Sequence, residues 1–147
     1  MPEELRLTLV VGLIAFAGVL GWVWRVRTGR AKAIDRGELI DLKRLQATKA
    51  GLPVTAFGKR VTFLQFSSET CSTCKQTARL FDELEQTAED VLHIEVDITN
   101  RLDLAKKFHV IQTPTTLVLD HTGRVTSRIG GAPKQSTIDQ QLGSFAI

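Results

Sequence analysis

The sequence predicts an α/β domain with a mixed central sheet and helices on both faces, placed after an N-terminal transmembrane helix. Three observations support this prediction. Residues 7–24 form an uncharged apolar run. Residues 61–110 alternate between strand-like and helix-like patterns of apolar residues, which is typical of parallel strands joined by crossover helices. Residues 115–129 contain two strand patterns around a His-Thr-Gly turn, as a β-hairpin would.

The first element is the run LTLVVGLIAFAGVLGWVW over residues 7–24. As a helix rising about 1.5 Å per residue it would extend about 27 Å, close to the thickness of a bilayer's hydrocarbon core. Trp22 and Trp24 lie at its end, where indole rings favour the headgroup region. We therefore expect residues 1–30 to be a retained, single-pass membrane anchor. A cleavable signal peptide is the alternative, but its basic residues should precede the apolar run, and here Glu3 and Glu4 precede it.

Positive charge is concentrated directly after this run. The chain has 19 Lys and Arg against 16 Asp and Glu, and a net charge of +3. Setting aside Arg25, Arg27, Arg30 and Lys32 leaves 15 basic residues for 16 acidic ones, so the remainder is near neutral. No nucleic-acid partner is therefore expected. Basic residues beside a span tend to stay in the cytoplasm, so they favour a cytoplasmic domain, with an extracytoplasmic domain as the alternative.

Residues 31–53 are predicted to be a linker that merges into the edge of a domain over 54–147. Apolar residues in this linker fit a short amphipathic helix or an opening strand: Ile34, Leu39, Ile40, Leu42 and Leu45. The domain's predicted order is strand (61–66), helix (71–88), strand (91–98), helix (101–110), strand (115–120), strand (124–129) and helix (135–145). Its first half requires a crossover between parallel strands, and its last two strands form an antiparallel pair.

The chain's two cysteines, Cys71 and Cys74, lie in the stretch SSETCSTCKQ, where the first strand gives way to the first long helix. A cysteine in the first turn of a helix meets unpaired backbone N–H groups and the positive end of the helix dipole. Both favour the thiolate, which is the attacking form. Cys74 lies on the same helix face and should be more buried. We therefore predict a redox dithiol in which Cys71 is the nucleophile and Cys74 resolves the mixed disulfide.

Two other uses of the pair are less well supported. A structural zinc site needs four ligands, and the chain offers two cysteines and the scattered His93, His109 and His121, so no metal is expected. A disulfide that closes so short a loop would stabilise a fold little. The dithiol itself is then the redox centre, and no further cofactor is expected.

Several stretches within residues 61–145 form a recognisable set: the FLQF strand, CSTCK at 71–75, VDITN at 96–100, VIQTPTTLVL at 110–119 and the pair Gly130-Gly131. With these features, residues 61–145 resemble the thioredoxin family. The resemblance implies a thioredoxin-like fold that exchanges disulfides with protein substrates and is recharged by an upstream reductant or oxidant. It also implies that Pro114 follows a cis peptide bond and that Thr113 presents its backbone to a substrate chain, as an added strand would.

The chain departs from the family's usual pattern around the dithiol. The family usually has a tryptophan before its first cysteine, where this chain has Thr70, and the common Gly-Pro between the cysteines is replaced by Ser72-Thr73. We expect the hydroxyls of Ser72 and Thr73 to donate to the Cys71 sulfur. Lys75 either stabilises the thiolate or lies on a solvated helix face.

A second departure concerns proton transfer. The family's buried acid is replaced by Gln65, which cannot take up a proton, and the lysine often paired with that acid falls near His93. Water or Glu69 is expected to deprotonate Cys74 instead, and His93 is expected to make ordinary strand contacts. The function predicted best is a membrane-anchored thiol–disulfide oxidoreductase. The alternative is a redox-sensing or docking module that switches binding to a membrane partner without turnover.

Overall fold

The N-terminal apolar run forms a long helix. The structure, a computed structural model, describes residues 2–35 and 37–146. Helix α1 spans Glu3–Arg27, and its 25 residues extend about 37 Å at about 1.5 Å per residue. None of its described side chains is buried, and its most apolar window has a mean hydropathy of 2.2. By length and composition α1 fits a transmembrane helix, a test that a signal sequence near the N-terminus would also pass.

A five-stranded mixed sheet forms the centre of the domain. The elements after α1 are, in chain order, β1 Ala31–Ala33, α2 Leu42–Leu45, β2 Thr48–Lys49, β3 Leu52–Pro53, β4 Val61–Ser67, α3 Ser72–Thr87, β5 Val91–Asp97, α4 Leu102–Lys107, β6 Thr115–Asp120, β7 Val125–Gly130 and α5 Gln135–Ser144. The strand order is β1-β7-β6-β4-β5. β4 and β5 are parallel, and the other neighbours in this sheet are antiparallel. The predicted α/β class with a mixed sheet is therefore confirmed.

The core divides into two layers because successive side chains of a strand point to opposite faces. In β4, which is buried throughout, Leu64 and Phe66 join the layer that contains Leu104 and Phe108 from α4 and the loop after it. Val61 and Phe63 join the opposite layer, which contains side chains of α3 and α5. There the Phe63 ring stacks on Phe81 with 4.6 Å between ring centroids. Helices therefore cover both faces of the sheet, as predicted.

Residues 31–53 differ from the predicted linker because they are built into the fold. Strand β1 pairs with β7 at the sheet edge, with Ala31 opposite Ile129. Four side chains of the same stretch are buried in the layer that contains α4: Ile40, Leu42, Leu45 and Ala47. The three-residue strand and the four-residue helix are too short to show a periodic pattern, so the sequence alone did not separate them from a tether.

Candidate active site

The two cysteines lie at the junction of β4 and α3. They form a disulfide, and their Cα atoms are 5.2 Å apart. Cys71 is the N-cap of α3, one residue before the helix, and has extended backbone angles (φ −86°, ψ 98°). Its Sγ accepts the backbone N–H of Cys74 at 3.1 Å. The sulfur therefore occupies the place of a capping oxygen, where helix N–H groups and the dipole stabilise negative charge on it.

The two sulfurs differ in access to solvent. Cys74 is only 1% exposed, because its side chain points into the domain from the first turn of α3. Cys71 is half-buried at the surface. A partner molecule can therefore reach the Cys71 sulfur, while Cys74 is reached through Cys71.

The loop before β6 lies beside this junction. The Thr113–Pro114 peptide bond is cis, as the family resemblance implied. Thr113 is half-buried and its Oγ1 lies 3.3 Å from Ser68 Oγ, while the Ser68 carbonyl accepts the N–H of Cys71 at 3.1 Å. On the other side, Gly131 donates its N–H to the buried Pro114 carbonyl at 2.8 Å. These bonds bring together the dithiol loop and the proline loop, which are far apart in the sequence.

The other residues predicted around the dithiol are solvent-exposed. Thr70, Ser72, Thr73 and Lys75 all lie on the surface at the start of α3. Within the described part of the chain, the Cys71 sulfur accepts only the Cys74 N–H, and the hydroxyls of Ser72 and Thr73 do not donate to it. Ser72 and Thr73 lie in the first turn of α3, and the hydrogen bond to the Cys71 sulfur comes from the backbone N–H of Cys74 instead of from their hydroxyls.

A buried polar chain runs from Cys74 to the surface, and the sequence analysis missed it. Gln65, fully buried on β4, donates from Nε2 to the Cys74 carbonyl at 2.9 Å. Its Oε1 lies 3.1 Å from Nε2 of His93, which is 3% exposed on β5. Nδ1 of His93 lies 2.7 Å from a carboxylate oxygen of Asp82 on α3, whose side chain is 53% exposed. Gln65 and His93 therefore connect the backbone at the buried cysteine with a solvated carboxylate.

Donor and acceptor chemistry orients the groups of this chain. The Cys74 carbonyl can only accept, so the amide nitrogen of Gln65 faces it and the amide oxygen faces His93. Each ring nitrogen of His93 then faces an oxygen, Nδ1 that of Asp82 and Nε2 that of Gln65. A signal for Gln65 was present in the sequence, because it interrupts the nearly apolar run of β4. His93 gave a weaker signal, since polar residues recur along β5.

Two further contacts hold the loops that flank the dithiol. Thr99 lies after β5, and its Oγ1 accepts the N–H of Glu69 at 3.1 Å, just before Cys71. The hydroxyl and backbone N–H of Thr99 bond to Asp97 and lower the pKa of that carboxyl. On the proline side, Arg128 donates to the carbonyls of Phe108 and His109 at 2.6 Å each, and burial lowers the pKa of its guanidinium. Both contacts tie a flanking loop to the sheet.

The described residues contain no group of three His, Cys, Asp or Glu side chains that could hold a metal ion. The three histidines are dispersed: His93 is buried under α3, whereas His109 and His121 lie exposed in separate loops.

Comparison with known proteins gives consistent matches. Residues 54–144 match the family model for thioredoxin. Thioredoxin of Bacillus subtilis is 32% identical over 77 residues, which are 52% of this chain and 74% of that protein. Thioredoxin H5 of Oryza sativa is 31% identical over 78 residues, but the match covers only 57% of that relative's length.

Solved structures show the same fold. A thioredoxin from Nicotiana alata superposes with a TM-score of 0.53 at 22% identity, covering 60% of this chain and 76% of that one. Thioredoxin from Fasciola hepatica gives a TM-score of 0.52 at 20% identity and covers 84% of that chain. With the family model matching more than half of its length, this chain belongs to the thioredoxin family.

Proposed function

We propose that this chain is a membrane-anchored thiol–disulfide oxidoreductase that exchanges disulfides with protein substrates. One observation supports this most strongly: a half-exposed sulfur at a helix N-cap, paired with a buried sulfur and placed beside a proline loop. α1 would anchor the domain in the membrane, and protein thiols or disulfides would be the substrates. An upstream dithiol or disulfide would restore the starting state.

The proposed exchange proceeds in two steps. The Cys71 thiolate attacks one sulfur of a substrate disulfide, so a mixed disulfide forms and the other substrate sulfur leaves as a thiolate that takes up a proton. Cys74 then loses its proton and attacks the Cys71 sulfur. The Cys71–Cys74 disulfide forms, and the substrate leaves with both of its sulfurs reduced. Two electrons pass from the dithiol to the substrate, and the reverse sequence oxidises a substrate dithiol.

The surroundings support each step. Helix N–H groups and the dipole at Cys71 favour its thiolate. Thr113 and Pro114, on the loop that contacts the dithiol loop, would hold a substrate backbone next to that sulfur. Burial keeps Cys74 from outside partners and leaves it close to Cys71. Lys75, exposed one turn along the helix from Cys71, adds positive charge on the same side.

The test is reduction of insulin disulfides by the full chain in detergent, with dithiothreitol as the terminal reductant. We expect steady turnover by the wild type and complete loss in Cys71→Ser. When Cys74→Ser is mixed with insulin without dithiothreitol, a mixed disulfide should accumulate, seen as a mass increase that dithiothreitol added afterwards reverses. His121→Ala, an exposed turn residue, serves as the control and should turn over like the wild type. Oxidation of one equivalent followed by no turnover would instead indicate a redox-sensing module.

The location of the domain is also a proposal. The basic residues Arg25, Arg27 and Arg30 follow the apolar helix, and such charges favour the cytoplasmic side. Labelling Cys71 with a membrane-impermeant thiol reagent tests this in intact cells. No labelling until the cells are lysed is expected, and labelling in intact cells would place the domain outside.

A further inference from the structure

We infer that the dithiol faces the membrane surface, and that the natural substrate is an integral membrane protein whose cysteine pair lies directly beside its membrane spans. This inference rests on the proposed function, because it assumes that α1 is a membrane anchor and that Cys71 exchanges disulfides. Beyond the proposed function, the inference specifies which end of the domain the anchor holds against the bilayer.

The connection between anchor and domain is very short. α1 ends at Arg27, and only Thr28, Gly29 and Arg30 precede β1. Thr28 closes the helix: its N–H and its hydroxyl both donate to the Trp24 carbonyl, at 3.0 and 2.9 Å. The chain therefore passes from the helix into the sheet without a flexible tether.

This connection is fixed to the domain by its own bonds. Buried Gly29 donates its N–H to the Gly130 carbonyl at 2.8 Å and accepts the Thr137 hydroxyl at 2.9 Å. It has a left-handed φ of +76°, and a Cβ placed there would lie 2.3 Å from the Ala132 carbonyl oxygen. A Cβ on Gly131 would lie 2.5 Å from the Thr28 methyl group. The backbones of the two segments are in direct contact, which limits swinging of the domain about the anchor.

The point of attachment is the dithiol end of the sheet. Gly130 lies opposite Thr115, and Gly131 bonds to the Pro114 carbonyl. Thr115 in turn lies opposite Phe66, near the end of β4 that leads to Cys71. From β1 to β4 there are three steps between neighbouring strands, which amounts to about 14 Å at about 4.8 Å per step.

The opposite end of the sheet is much farther from the membrane. It contains the turn between β6 and β7, with Thr122, and the start of β4, where Val61 lies opposite Asp120. The seven residues of β4 separate the two ends by about 20 Å at about 3.3 Å per residue. With Trp22 and Trp24 at the headgroup region, Cys71 is held near the bilayer surface and the turn points away from it.

This placement selects the substrate class. The sulfur lies just after β4, which is about 14 Å across the sheet from β1, the strand that follows the anchor. So placed, it meets disulfides in loops that border membrane spans. It cannot meet a disulfide raised far above the bilayer on a rigid stalk. Arg25, Arg27, Arg30 and Lys134 are exposed around the junction of anchor and domain, where the N–H of Lys134 donates to the Gly29 carbonyl, and their positive charges would favour contact with anionic headgroups.

The orientation can be tested without turnover. The full chain with Cys74→Ser has one cysteine, and a fluorophore on Cys71 can be compared with one on Thr122→Cys in a Cys71→Ser/Cys74→Ser chain. Both chains are placed in phosphatidylcholine vesicles that contain phosphatidylglycerol and a headgroup-linked acceptor. We expect several-fold stronger energy transfer from Cys71. Equal transfer, or stronger transfer from residue 122, would overturn the inference.

The substrate class needs a kinetic test in the same vesicles. Two single-span model peptides have identical disulfide loops, one directly after the span and one on a helical stalk of about 30 residues, about 45 Å long. The wild type should reduce the near loop at least about tenfold faster, because a site that cannot span the gap has almost no effective concentration. Inserting about 24 Gly and Ser residues between Thr28 and Gly29 adds a reach of about 27 Å and should remove most of this preference.

Soluble insulin separates the two possible failures. Equal rates on near and far loops, with normal insulin reduction, would refute the membrane-facing inference and leave the proposed function intact. Absence of insulin reduction by the wild type would refute the proposed function itself, and the substrate class with it. If only the spacer variant loses insulin activity, its rates on the model peptides cannot be interpreted. The energy-transfer comparison then decides whether the dithiol faces the membrane, because it requires neither a spacer nor turnover.

Discussion

The buried chain from Gln65 through His93 to Asp82 predicts a measurable energetic coupling. In His93→Phe the ring still packs beside Phe81, whose centroid lies 5.3 Å away, but both hydrogen bonds are lost. Gln65 is fully buried, so its orphaned amide oxygen should destabilise the fold by about 1–3 kcal/mol. The side chain of Asp82 is 53% exposed and can bond to water instead, so the loss of its bond to His93 adds at most about 1 kcal/mol. We therefore expect a total of about 1–4 kcal/mol.

Gln65→Leu should have a similar effect, because it leaves the buried Nε2 of His93 without its hydrogen-bond partner. In the double variant Gln65→Leu/His93→Phe both side chains are apolar, so neither leaves a buried polar atom of the other without a partner. The Cys74 carbonyl keeps its place in the hydrogen-bond pattern of α3. The double variant should therefore be more stable than the sum of the single effects predicts, with a coupling energy of about 1–2 kcal/mol.

Urea unfolding of the oxidised full chain in detergent, followed by far-ultraviolet circular dichroism, measures these free energies. Thr116→Val is the matched control. Thr116 lies opposite Gln65 and is fully buried, and its hydroxyl has no hydrogen-bond partner within the described residues. Removing that hydroxyl should be neutral or stabilising. A loss below about 0.5 kcal/mol in His93→Phe, or strictly additive single effects, would refute the reasoning.

Three further predictions follow from the site and the junction. Gln65→Asp places an ionisable group beside the Cys74 carbonyl, so the pH profile of insulin reduction should change; an unchanged profile would show that this position takes no part in proton transfer. Asp97 has a lowered folded pKa, so its bonds to Thr99 stabilise the fold above the unfolded pKa of about 3.9 and are lost as the pH falls through the folded value. Acid unfolding of Asp97→Asn should therefore depend less steeply on pH below about 4 than that of the wild type, and equal slopes would count against the assignment. Gly29→Ala places a Cβ against the Ala132 carbonyl at a left-handed φ, so it should destabilise the domain by about 1–3 kcal/mol in thermal unfolding. Gly21→Ala is the control and should not destabilise it, because the space around Gly21 is open. Equal stability of the two variants would mean that the junction is looser than described.

The longer elements and the dithiol could be predicted from local pattern alone. β4 is an apolar run, α3 has a clear helical repeat, and the Cys71–Cys74 spacing at their junction restricts the chemistry. Strand β1 could not be predicted in this way, because its three residues owe their conformation to pairing with β7. Such pairing is a long-range contact, and no local periodicity reports it.

The buried polar chain escaped prediction for a related reason. Gln65 and His93 are 28 positions apart and meet only through the parallel register of β4 and β5, in which Phe63 lies opposite His93. Asp82 joins them because α3 crosses that face of the sheet. The sequence analysis singled out Gln65 and His93 but not Asp82, and the strand register determined which residues touch. His93 was expected only to make ordinary strand contacts, and in the structure it connects Gln65 on β4 with Asp82 on α3.

Incorporation of residues 31–53 into the sheet has a practical consequence for shortened forms of the protein. A recombinant fragment that starts at Val54, where the family match begins, would lack β1 and the buried Ile40, Leu42 and Leu45. Losing those three side chains alone removes about 5–9 kcal/mol of burial, comparable with the whole stability of a typical domain. It would also leave β7 as an open edge able to pair with other molecules. A crystallisation fragment should begin no later than Gly29, and aggregation of shorter versions would report lost packing rather than a missing bilayer.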